Sequence, residues 1–223
     1  PGADLPNPRD LTLDLEHNFR FRLSGQITGN GQVGADGDGP DPDNAFLTIK
    51  DAQDDSDLLQ LTGTSEFALV RRIVDVDVNR DNVFGLKGAT LDTLALTLDD
   101  AGVMVADVAT LNVSGELALA LVTAKGEDDP RYMTFQMGNV IVDGTLDSAL
   151  GVNLTGTLEI AALDLNLVNT RADGTPWTYL NWNKAVDLDE DGMHDVLNPG
   201  EDLPNPRDLT LNLDHTFRFR LSG

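Results

Sequence analysis

The sequence contains no cysteine, which removes disulfide frameworks, thiolate zinc sites and thiol nucleophiles together. Basic residues are scarce: 15 Lys and Arg stand against 38 Asp and Glu, a formal net charge of −23. A surface of that sign repels phosphate backbones, so no nucleic-acid partner is expected. No apolar run approaches the roughly 20 residues that cross a bilayer, and no basic amphipathic stretch marks a surface helix, so no membrane insertion is expected. Aromatics make up only 5% of the chain, leaving Leu, Val, Ala and Ile to build any core. The signatures G-x-S-x-G and H-E-x-x-H and a Gly-rich phosphate loop are all missing. Among so many carboxylates a glycosidase-type pair is compatible with the composition, yet nothing singles one pair out. The expectation is a protein that is not an enzyme.

What the chain does contain is itself, twice. Residues 1–25 read PGADLPNPRDLTLDLEHNFRFRLSG and residues 199–223 read PGEDLPNPRDLTLNLDHTFRFRLSG, identical at 21 of 25 positions without a gap. The exchanges are Ala3/Glu201, Asp14/Asn212, Glu16/Asp214 and Asn18/Thr216. The sequence therefore reads as one complete repeat over 1–198, with 199–223 as the opening strand of the next. It is expected to be a piece of a longer tandem array, in which each unit need only touch its neighbours.

Period-2 alternation dominates. Over residues 11–23 the odd positions Leu11, Leu13, Leu15, His17, Phe19, Phe21 and Leu23 oppose Thr12, Asp14, Glu16, Asn18, Arg20 and Arg22, which predicts one long half-buried strand. The same pattern recurs over 209–221. Leu111, Val113, Leu117, Leu119 and Leu121 alternate with polar residues, as do Leu150, Val152, Leu154, Leu158 and Ile160. The parity changes at Ala161-Ala162, where a β-bulge is expected. Glycines recur at Gly25, Gly63, Gly115, Gly144 and Gly156 in apolar-polar-Gly words, suggesting places where long strands bend. Asp99-Asp100-Ala101-Gly102 reads as a hairpin turn. The expected fold is all-β: long curved, mainly antiparallel strands in an elongated rod- or solenoid-like tandem assembly.

The sharpest chemical signal is D-x-D-x-D-G-x-x-D at Asp187, Asp189, Asp191, Gly192 and Asp195. Carboxylates at loop positions 1, 3, 5 and 9, a turn glycine at 6 and the Met193 carbonyl at 7 supply the convergent oxygens that Ca2+ requires. Asn198 stands at position 12, so Glu201 or Asp202 is the candidate to complete the shell. This dozen-residue loop resembles the calcium loops of dockerin and thrombospondin type 3 repeats. A second metal could lie at Asp36, Asp38, Asp41 and Asp43 in a Gly/Pro-rich loop. Asp75, Asp77, Asn79 and Asp81 read as the polar outer face of a strand. Trp177, Tyr179 and Trp182 are the one aromatic cluster, serving either as ligand contacts or as packing across the repeat junction. His17 and His215, on the apolar face, read as core or inter-repeat residues.

Taken together, the acidic tandem repeat, β pattern and D-x-D-x-D-G loop resemble giant repetitive extracellular proteins of bacteria, of the adhesin-like or matrix-forming kind. That resemblance implies secretion to the cell surface or beyond, and neighbouring copies of the repeat as partners. It also implies a calcium-stiffened rod or filament. The alternative is a carbohydrate- or surface-binding adhesin module with glycans as partners. Further off stands a polysaccharide lyase or hydrolase.

Overall fold

The computed structural model describes residues 18–28, 47–50, 57–61, 63–105, 109–126, 130–146, 154–171, 173–175 and 177–223. Ten strands form one antiparallel sheet. They are β1 (Phe19–Thr28), β2 (Leu47–Lys50), β3 (Asp57–Leu61), β4 (Thr64–Val76), β5 (Leu86–Val105), β6 (Ala109–Thr123), β7 (Arg131–Leu146), β8 (Leu154–Val168), β9 (Val186–Asp187) and β10 (Phe219–Ser222). The lateral order is β1-β4-β5-β6-β7-β8-β10, with β3 carrying β2 alongside β5, and β9 paired to the end of β4. The two end strands do not pair with each other, so the sheet is open. No α-helix occurs among the described residues; two short 3-10 turns, Trp182–Lys184 and Pro199–Asp202, interrupt the chain after β8.

The alternating pattern separates the two faces, but not with the polar face outward. One face carries small and polar residues: Glu66, Ala68 and Val70 on β4, Thr93 and Ala95 on β5, Ala118 and Ala120 on β6, Thr134 on β7, Asp164 and Asn166 on β8. Nearly all of these are buried. They are buried because the chain after β8 folds back across them. Leu180, Trp182, Ala185, Val186, Leu197, Leu211 and Leu213 from that returning segment make one core with Val74, Val76, Ala89, Leu91, Val122 and Tyr132 of the sheet. The alanines leave room for a second layer, and each large apolar side chain buried there contributes about 1.5 to 3 kcal/mol. Leu203 seats on Ala68 and Ala95 in the same way.

The opposite face holds the leucines. Cross-strand partners line up as Leu23–Leu69–Leu94–Leu119–Phe135–Leu165–Phe219, with a second row Phe67–Leu96–Leu117–Met137–Leu163–Leu221 beside it. Leu23, Leu69, Phe219 and Leu221 are exposed and the residues between them half-buried. Among the described residues nothing covers this face.

Four local expectations are corrected. Residues 99–102 make no hairpin turn: β5 runs straight through, with a bulge between Leu98 and Ala101, because both flanks pair with β6. Ala161-Ala162 carries no bulge, since β7 and β8 keep constant register past it. The irregularity sits one strand over, between Ser114 and Glu116, opposite Asn139 at φ 54°. A Cβ on Gly115 would there approach Val140 Cγ2 to 2.6 Å. Asp75, Asp77, Asn79 and Asp81 do not share a strand face, because β4 ends at Val76. Residues 209–221 are not one strand. Asp214 accepts from the Thr216 backbone N–H (2.6 Å), forming a turn that reverses the chain. Leu211 and Leu213 consequently enter the core while Phe219 and Leu221 emerge on the open face. The first-copy positions 11–17 lie outside the described residues.

Candidate metal centre

The D-x-D-x-D-G loop follows β9, whose Asp187 and Val186 pair with Asp75 and Val76 at the end of β4. That pairing anchors the start of the loop on the sheet. The loop then closes on itself: Asp195 N–H donates to the Val186 carbonyl (2.8 Å), and Leu188 N–H donates to Asp195 Oδ2 (2.5 Å). Gly192, at φ 83°, makes the reversal and donates its N–H to Asp187 Oδ2 (3.0 Å). Asp189 and Asp191 each accept from the backbone two residues on, Asp191 N–H at 3.1 Å and Met193 N–H at 2.7 Å.

This winding brings oxygens of Asp187, Asp189 and Asp195 within 4.8 Å of one another. Two ligands on opposite sides of a calcium ion, each at about 2.4 Å, are separated by roughly that span. Asp187 is 2% exposed, and its Oδ1 has no hydrogen-bond partner. A buried anionic oxygen without a donor is costly, and a cation is the group that would satisfy it. Asn18, a neutral amide, abuts the start of the loop. Its Nδ2 donates to the Leu188 carbonyl, and its Oδ1 is buried without a partner.

Of the six residues expected to bind metal, then, the carboxylates of Asp187, Asp189 and Asp195 converge. Asp191 is exposed outside the cluster, and the Met193 side chain is exposed. Glu201 is not in the cluster either; it accepts from Asn198 Nδ2 (3.3 Å). Asp202 faces away, accepting from Arg72 (3.4 Å) and lying 3.5 Å from Arg22. Asp36, Asp38, Asp41 and Asp43 lie outside the described residues. Sequence reasoning missed Asn18, 170 residues from Leu188 along the chain. Its signal was present: Asn18 is one of the four positions at which the two repeat copies differ.

A second turn buttresses the loop. Asp77, 1% exposed, accepts from the N–H groups of Asn79 (3.2 Å), Arg80 (2.7 Å) and Asn82 (2.9 Å) and meets His194 Nε2 at 3.3 Å. Phe84 packs on the His194 ring at 4.9 Å. Asp75 is a structural acceptor, taking Lys87 Nζ (2.7 Å) and Gly88 N–H (2.8 Å).

The aromatic cluster is divided. Trp182 is fully buried and donates its indole N–H to Asn166 Oδ1 (3.1 Å). Trp177 is half-buried under the Arg171 guanidinium (4.1 Å), and Arg218 lies over Tyr179 (3.2 Å). His215 is half-buried, with its Nδ1 unpartnered, and His17 lies outside the described residues. Two carboxylates in the groove between β6–β8 and residues 208–212 are already paired, Glu116 with Arg207 (3.1 Å) and Asp164 with Arg220, and the third, Asp208, accepts from the Thr210 N–H and hydroxyl (3.2 and 2.5 Å).

No protein-family model, no curated protein and no solved structure matches this chain.

Proposed function

We propose that this chain is a structural repeat module of a large secreted bacterial surface protein, a β spacer in an elongated array stiffened by calcium. The observation that carries the reading is the position of the acidic loop. It joins the sheet, through β9, to residues 199–217, where the second copy of the repeat begins. A cation held by Asp187, Asp189 and Asp195 would fix that returning segment against the sheet and so set the angle at which the next unit departs. Outside the cell, millimolar calcium fills weak sites of this kind, and the ionic strength screens part of the −23 charge.

Calcium titration against thermal unfolding tests it. With a dissociation constant of about 0.1 to 1 mM, typical of extracellular modules, 10 mM calcium adds roughly 1.4 to 2.7 kcal/mol. In a chain of this size that raises the Tm by roughly 3 to 10 °C. Asp189→Ala removes most of the gain and Asp75→Ala leaves it in place. A melting curve unchanged between chelator and 10 mM calcium would dispose of the calcium reading.

A further inference from the structure

The strand FRFRLSG occurs at both ends of the chain, and the fold seats it at both edges of the sheet. In the first copy it is β1, paired with β4; in the second it includes β10, paired with β8. The two seats use opposite sides of the strand. Ile73 N–H donates to the Asn18 carbonyl (2.9 Å), so the odd residues of β4 turn their backbone groups toward β1. Their partners Phe21, Leu23 and Gly25, opposite Arg71, Leu69 and Phe67, therefore bond to β4. In the second copy Asn166 N–H donates to the Arg218 carbonyl (3.0 Å), which commits Arg218, Arg220 and Ser222 to β8. Phe219 and Leu221, the equivalents of Phe21 and Leu23, then turn their backbone groups to the far edge. Among the described residues nothing pairs there.

The side chains agree as well. Arg22 lies opposite Val70 and reaches Asp202, while its equivalent Arg220 binds Asp164, so both arginines are on the covered face. Leu23 and Leu221 are both on the open one. No side chain need change face for one strand to serve both seats.

We infer that in the tandem array, whose existence rests on the function proposed above, residues 219–222 are at once the last strand of one unit and the first strand of the next. The partner for the open edge of β10 is the β4 of the following repeat, and the sheet runs on through the junction without a break. Each unit's covering segment is then written in the opening residues of the following repeat, as residues 199–217 show here. Six inter-strand steps of about 4.8 Å advance the array by roughly 29 Å per repeat, and a twist of about 20° per step turns it by roughly 120°.

The test compares the 223-residue chain with a version in which Gly223 continues directly into a second copy of residues 26–223. Residue-resolved hydrogen exchange is the readout. In the single chain the amides of Arg220 and Ser222 are protected and those of Phe219 and Leu221 exchange fast. In the extended chain Phe219 and Leu221 slow by about tenfold or more. Unchanged exchange at Phe219 and Leu221 overturns the inference. A second variant guards against a second unit that fails to fold. Leu221→Pro removes an N–H that faces the open edge, so it leaves the melting of the single chain nearly unchanged and lowers that of the extended chain. Equal losses in both would also overturn the inference. The calcium titration reads the other proposal separately. Slowed exchange without a calcium response leaves the shared strand standing, and a calcium response without slowed exchange leaves only the calcium loop.

Discussion

Asn166 is the residue through which the returning segment is held to the sheet, and Asn166→Ala is the perturbation that measures the attachment. Its side chain is fully buried on β8. Nδ2 donates to the carbonyls of Leu180 and Asp214, each at 3.1 Å, and Oδ1 accepts the Trp182 indole N–H at 3.1 Å. Three groups from two stretches of the covering chain, 180–182 and Asp214, thus converge on one amide. The alanine variant leaves an indole N–H without a partner where no water reaches it, together with two carbonyls that lose a donor. At about 1 to 3 kcal/mol for each orphaned group, discounted because the Asp214 carbonyl lies toward the surface and can recruit water, the loss is about 3 to 5 kcal/mol. For a 24.0 kDa chain that is roughly 6 to 20 °C in Tm. Urea unfolding followed by tryptophan fluorescence reports it, with an unchanged m-value showing that the same surface unfolds. Combining Asn166→Ala with Trp182→Phe should cost less than the sum of the two, by about 1 to 2 kcal/mol, since the second change removes the orphaned donor. A loss below about 1 kcal/mol, or strict additivity in the double variant, refutes the account of the amide as the fastening point.

Two further perturbations test the face assignment and the core. Leu211→Ala deletes a side chain 1% exposed and should cost about 3 to 4 kcal/mol, whereas Leu221→Ala, 60% exposed, should cost about 1 kcal/mol or less. Similar losses in denaturant midpoints would mean that the alternating stretch does keep one face after all. Burial pushes the Tyr132 phenol up to about 12, with Arg171 pulling weakly the other way. The folded state therefore holds this proton more tightly than the unfolded chain. The resulting stability is fully present below pH 10 and is lost, to an extent of order 2 kcal/mol, as pH rises from 10 to 12. Tyr132→Phe should flatten that decline, and an identical alkaline profile in the variant would contradict the assignment.

The strands were legible because their period of two survives any tertiary arrangement. Leu94, Leu96 and Leu98 fall on one side of β5 whatever lies against them. Which side is covered was not legible. Alternation gives two faces, and only the path of residues 177–217 decides that Ala95 and Asn166 are inside while Leu94 and Leu165 are half-bare. The turn at Asp214-His215-Thr216 hid within an unbroken alternation, since its three residues fit the polar and apolar pattern while the Asp214 carboxylate bends the backbone. At the acidic loop the convergence of Asp187, Asp189 and Asp195 follows from spacing, because contacts within nine residues are set by local chain geometry, whereas Asp191 and Glu201 stay outside the cluster. Asp202 went to Arg22 and Arg72 instead, a choice made by strands far away along the chain.

The apolar rows across the open face carry a quiet asymmetry. The row that starts at Leu23 finishes at Phe219, the counterpart of Phe21, and the row reaching Leu221 finishes at the counterpart of Leu23. Crossing one unit thus slips each row by two residues, about 7 Å along the strand direction. Carried from unit to unit in the array proposed above, such a slip would not lie flat. The leucine rows would there become the thread of a screw whose lead is set by the register of seven strands. Anything that grips this thread must advance and rotate in the ratio the register dictates.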